Sequence, residues 1–140
     1  MRADDINEII RVTHLYARGL DRFDPKEALS AFAPDGVWDA SAVGLTRYEG
    51  HEQILDFFER DAQAVDKQFH IITNHVIDFE DDDHATGTNY VFSEAEMKNG
   101  AAIKAIALNE DRYVRTADGW KIAERIITGL TTPQMDGFDA

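Results

Sequence analysis

The stretch FHIITNHVIDF, residues 69–79, constrains what this chain can fold into more than any other. β-Branched and aromatic residues dominate it and Gly and Pro are absent, so the run reads as one long strand. Successive strand side chains point to opposite faces. Phe69, Ile71, Thr73, His75, Ile77 and Phe79 therefore share one face, and His70, Ile72, Asn74, Val76 and Asp78 the other. The first face is mainly apolar and the second carries Ile72 and Val76, which predicts cover on both sides. His70 and Asn74 then sit in largely dry surroundings, where an imidazole needs a hydrogen-bonding partner. Only one of the two strand histidines can face a common pocket unless a bulge intervenes.

The segments before this strand read as helices. DINE at 5–8 has the form of a capping box with Asp in the leading place, and it opens a helix over 5–23 whose buried stripe is Ile6, Ile9, Ile10, Thr13, Tyr16, Ala17 and Leu20. Asp21 lies one turn after Ala17, at the edge of that stripe. Pro25 starts a short second helix over 25–32, APDG at 33–36 is a turn, and 37–43 and 44–50 are extended pieces. A third helix covers 50–65. After the long strand, the acidic run at 80–83 reads as a solvated hairpin loop, since it lacks the alternating pattern of a calcium loop. Strands over 85–97, 102–115 and 120–130 follow, joined by Asn99-Gly100 and Asp118-Gly119 turns. The order predicts a single α+β domain over 1–131, with a twisted antiparallel sheet wrapped around N-terminal helices and enclosing a pocket, and a tail over 132–140.

Composition narrows the function. A net charge of −13 in 140 residues argues against a nucleic-acid or anionic membrane surface. The absence of cysteine removes disulfides, thiolate nucleophiles and cysteine metal sites, and no histidine spacing suits a metal, so neither metal nor cofactor is expected. No long apolar run occurs and the first residues are acidic, which points to a cytoplasmic protein. Asp21 is the partner the pattern offers His70. A carboxylate on an imidazole fixes its tautomer and raises its basicity, leaving the other ring nitrogen as a general base. The same pattern accommodates a core histidine with Asp21 merely ending the first helix at the surface.

The segments YARGLD (16–21), FAPDGVW (32–38), GHEQI (50–54), HIITN (70–74) and DRYVRTADGWKI (111–122), in this order and spacing, resemble the SnoaL-like branch of the NTF2-like superfamily. The resemblance implies a cone-shaped α+β barrel with an apolar pocket, commonly a homodimer or higher oligomer through the outer sheet face. It is similar in pattern to the superfamily's scytalone dehydratase, bile acid 7α-dehydratase and lindane dehydrochlorinase lyases. These share an Asp near the end of the first helix and a His on the first long strand, matched by Asp21 and His70. Tyr16 stands where such lyases carry a Tyr or a Lys, and Arg125 where an Arg recurs on the last strand. A second pocket His has no counterpart, because His75 falls on the opposite parity to His70.

The reading that follows is a cofactor-independent lyase or isomerase, dehydratase-like, acting on a small hydrophobic substrate, polycyclic ones included. His70, Asp21 and Tyr16 are its catalytic residues, and Arg125 and Asn74 orient the substrate. The alternative is a non-catalytic ligand-binding or assembly module of the same fold, like the small subunits of ring-hydroxylating dioxygenases.

Overall fold

The computed structural model of the protein describes residues 2–138. Helix α1 (Ala3–Asp21) and the short α2 (Pro25–Ser30) are followed by strand β1 (Phe32–Asp39), a 3₁₀ turn (Ser41–Val43), strand β2 (Arg47–Glu49) and helix α3 (Gly50–Ala64). Strands β3 (Val65–Phe79), β4 (His84–Met97), β5 (Ala102–Thr116), β6 (Gly119–Gly129) and β7 (Gln134–Asp136) complete the chain. The sheet runs β2-β1-β6-β5-β4-β3, with β7 on β5 beyond the end of β6. Every pairing is antiparallel except β1 with β6. The architecture is the expected α+β cone: a curved, unclosed sheet with the three helices against its inner face. Among the described residues no helix is long and apolar enough to cross a membrane.

Several local expectations are corrected. Residues 33–36 are not a free turn but the irregular part of β1, whose register against β6 shifts between Phe32 and Val37. Residues 41–43 leave the sheet as the 3₁₀ turn. Asp5 and Glu8 do not cap α1, which begins at Ala3. Their carboxylates instead bind the buried Trp120, Asp5 Oδ1 accepting from the indole Nε1 at 3.1 Å and Glu8 Oε2 from the backbone N–H at 2.6 Å. Part of the expected tail, 134–136, is the strand β7, while 139–140 lie outside the described residues.

The core lies between α1, α3 and the inner sheet face, around Ile9, Tyr16, Phe32, Trp38, Phe58, Tyr113, Trp120 and Ile122. Gly19 makes the α1–α2 contact possible, because a Cβ there would stand 2.3 Å from the Ala28 nitrogen. Among the described residues no element covers the outer face of the sheet. Ile71, Val76, Tyr90 and Ile106 are exposed there, so the cover that the apolar strand calls for on this side is not supplied by the described elements of the chain.

β3 does not keep one parity. Its register against β4 shifts between Thr73 and Val76, and Asn74 takes a left-handed φ of 58°. This is a bulge, in which one extra residue reverses the alternation. It carries His75 to the inner side, where its Nε2 lies 3.0 Å from the Thr13 hydroxyl. Asn is among the few non-glycine residues that accept this backbone conformation readily.

Candidate functional site

The cavity opens on the inner face, bounded by Tyr16 of α1, Trp38 of β1, His70 of β3, Ser93 of β4, Asn109 of β5 and Ile127 of β6. Its volume is about 270 Å³ and its walls are chiefly apolar. Val43 and Leu45 of the β1–β2 connection and Met135 of β7 stand around it.

His70 and Asp21 meet as expected. The Asp21 Oδ1 lies 2.8 Å from His70 Nδ1, and its Oδ2 accepts the His70 backbone N–H at 3.0 Å. A carboxylate offers only acceptors, so Nδ1 carries the ring proton and Nε2 of the neutral imidazole is bare. Nε2 has no hydrogen-bond partner among the described residues, and the His70 side chain keeps 18% of its surface accessible. One carboxylate thus holds both N–H groups of a single residue, fixing backbone and ring together. Gln68, two positions earlier, braces the junction: its Nε2 donates to the Leu20 carbonyl and to Asp61 Oδ2, each at 2.8 Å. Burial holds the Asp61 carboxyl above the usual carboxylate range.

Tyr16 is buried with its hydroxyl accepting from the Trp38 indole at 2.9 Å. The acceptor role is thereby filled and the phenolic proton is left to donate. Burial raises the Tyr16 pKa above its ordinary value, so the group stays a neutral donor. The Tyr16 and His70 ring centroids are 6.3 Å apart, close enough for one small molecule to meet both polar ends.

Arg125 does not line the cavity. It is fully buried behind Tyr16, its guanidinium 4.7 Å from the Tyr16 ring centroid and forked onto Asp111 through Nε and Nη2, both at 2.8 Å. Its place is in the support of the site. Asn74 does not belong to the site at all: it is exposed at the bulge, on a backbone turn that breaks the parity with His70. Sequence reasoning missed the network that holds Arg125. Asp111 Oδ2 also accepts from Tyr113 Oη at 2.7 Å and from Asn89 Nδ2 at 2.9 Å, and Asn89 Oδ1 accepts from Asn109 Nδ2 at 2.8 Å. The signal was present as polar Asn109 and Asp111 alternating in phase with Ala107 and Tyr113 on one strand face. Among the described residues no cluster of three or more His, Cys, Asp or Glu is arranged to hold a metal ion.

The SnoaL-like domain model matches residues 1–126, nearly the whole chain. The chain belongs to the SnoaL-like family. No curated protein sequence matches this SnoaL-like chain. Among solved structures it is similar to a candidate aromatic ring hydroxylase from Novosphingobium aromaticivorans DSM, with 27% identity, TM-score 0.91, and 95% of this chain and 94% of the other covered. A candidate scytalone dehydratase from Novosphingobium aromaticivorans DSM 12444 shares 18% identity at TM-score 0.87, covering 99% and 92%. The hexachlorocyclohexane dehydrochlorinase LinA-type3 from Novosphingobium barchaimii LL02 shares 20% identity at TM-score 0.82, covering 99% and 95%. The last two likenesses establish the fold that this SnoaL-like domain adopts.

Proposed function

We propose that this SnoaL-like protein is a cofactor-independent lyase or isomerase of the dehydratase kind, acting on a compact hydrophobic substrate that bears oxygen. The observation that carries the reading is the bare His70 Nε2 at an apolar cavity with Asp21 bound to Nδ1. In a dehydration, Nε2 takes the proton from a carbon next to a carbonyl. The C–H electrons become the new C=C bond, and the C–O bond on the adjacent carbon breaks. Asp21 stabilises the imidazolium, which returns its proton to the departing hydroxide as water. Tyr16 donates a hydrogen bond to the oxygen that develops charge, and the dry walls strengthen that bond. Isomerisation uses the same base, with the proton returned to another carbon. The names of the dehydratase and dehydrochlorinase neighbours support elimination chemistry on this fold, and Tyr16 suits an oxygen leaving group.

The test is turnover of a panel of hydroxylated alicyclic and aromatic ketones. The His70→Ala variant is expected to lose about a hundredfold or more in kcat/KM, and full turnover by that variant on an accepted substrate would sink the reading. A second reading, a binding or assembly module without chemistry, draws on the uncovered apolar face around Ile71 and Tyr90. It wins if the panel binds without turnover and a protein partner occupies that face.

A further inference from the structure

Two buried side-chain atoms in the site's support have no hydrogen-bond partner among the described residues, Arg125 Nη1 and Asn109 Oδ1. Only Asn109 belongs to the cavity wall, and it is 1% exposed. Its orientation is not free. Arg125 and Tyr113 already donate to Asp111, which has only acceptors, so the Asn89 side chain must turn its NH₂ group to Asp111. Asn89 therefore presents Oδ1 to its cross-strand neighbour Asn109, and Asn109 must answer with its own NH₂ group. The chain of amides ends with a carbonyl oxygen, Asn109 Oδ1, left without a partner on a residue of the cavity wall. A charge pair buried two residues away sets the polarity of the cavity wall.

We infer that Asn109 determines specificity: its Oδ1 calls for a hydrogen-bond donor, a hydroxyl or N–H group, on the ligand that fills the cavity. An apolar ligand that fills the space without a donor leaves a buried acceptor unmet, and a site built around such an acceptor discriminates against it. The preferred ligand class is a hydroxyl-bearing ring compound, and unsubstituted or halogenated hydrocarbons are disfavoured. The inference rests on the cavity being the substrate site, as proposed above, and adds the substrate class to it.

The test compares 2-naphthol with 2-methoxynaphthalene, which keeps the oxygen and loses the donor, by measuring dissociation constants with the full chain. Wild type is expected to favour 2-naphthol by about tenfold or more. Asn109→Leu is expected to erase the preference and His70→Ala to keep it. Equal wild-type affinities, or no binding of either probe, would overturn the inference. So would a preference that survives Asn109→Leu and vanishes in His70→Ala, since the dyad would then hold the hydroxyl. A structure of the wild-type complex needs no variant to fold: the hydroxyl belongs within hydrogen-bond distance of Asn109 Oδ1, and its placement on His70 Nε2 contradicts the claim. The two readings fail separately. Full turnover by His70→Ala removes the lyase and leaves the donor preference, whereas a missing preference with His70-dependent turnover removes only the role of Asn109.

Discussion

Asp21 and Asp111 each organise a cluster, and they do so under opposite conditions. Asp21 keeps 26% of its side-chain surface accessible and serves one residue, His70, through two N–H groups. Asp111 and Arg125 have fully buried side chains, and Asp111 accepts from Arg125, Asn89 and Tyr113. Removing one member of a buried ion pair leaves an uncompensated charge, so Asp111→Ala is expected to lower stability by about 3–5 kcal/mol. Equilibrium denaturation in urea measures this directly, and a loss below about 1 kcal/mol would show that Arg125 finds other support. The residues of the dyad were legible in the sequence because each sits on a strongly periodic element. The Asp111 network was not, because its logic is cross-strand. Taking Asn99-Gly100 as a two-residue turn places Asn89 opposite Glu110, whereas the longer connection pairs Asn89 with Asn109. One residue of loop length separates a buried relay from a mismatched pair.

At the scale of elements, α1 and β3 do most to position the site, and the bulge in β3 is the feature that strict alternation could not foresee. Alternation places His70 and His75 on opposite faces, while the left-handed Asn74 brings both inward, His70 to the cavity and His75 to Thr13 on α1. The Thr13 hydroxyl gives its proton to the Ile10 carbonyl at 2.7 Å, so it accepts from His75 Nε2–H. Burial, then the neighbouring His14, holds the His75 pKa below its ordinary 6.5. The unfolded chain therefore takes up this proton first. The stabilising contribution of neutral His75 is complete above about pH 6.5 and is lost as pH falls through the lower folded-state value. In His75→Gln, which keeps a donor for Thr13, the stability curve just below about pH 6.5 is expected to be flatter than in wild type. Superimposable slopes in that window would contradict the assignment. The α+β class and the long helices and strands were readable from periodicity and turn residues. The end of the chain was not, because β7 is three residues long and exists only through its pairing with β5.

The whole molecule presents two unlike sheet faces. The inner one is filled by helices and the cavity, while the outer one leaves Ile71, Val76, Tyr90 and Ile106 between 39 and 59% exposed on adjoining strands. Contiguous exposed apolar surface of this kind marks an interaction site. We propose that a second copy of the chain covers it. Sedimentation velocity is expected to show a dimer or higher oligomer for wild type and a monomer for Ile71→Lys, and a wild-type monomer at micromolar concentration would refute the proposal. A shared outer face would leave both cavities open on their far sides.

The claim on which the chemistry depends is the tautomer of His70. Long-range ¹H–¹⁵N spectra of the wild type near pH 8, assigned with His70→Gln, report which ring nitrogen carries the proton. A protonated Nδ1 with a bare Nε2 is the predicted result, with the preference lost in Asp21→Asn. A wild-type His70 protonated at Nε2 and bare at Nδ1 would mean that Asp21 does not orient the ring, and the base of the proposed reaction would be gone.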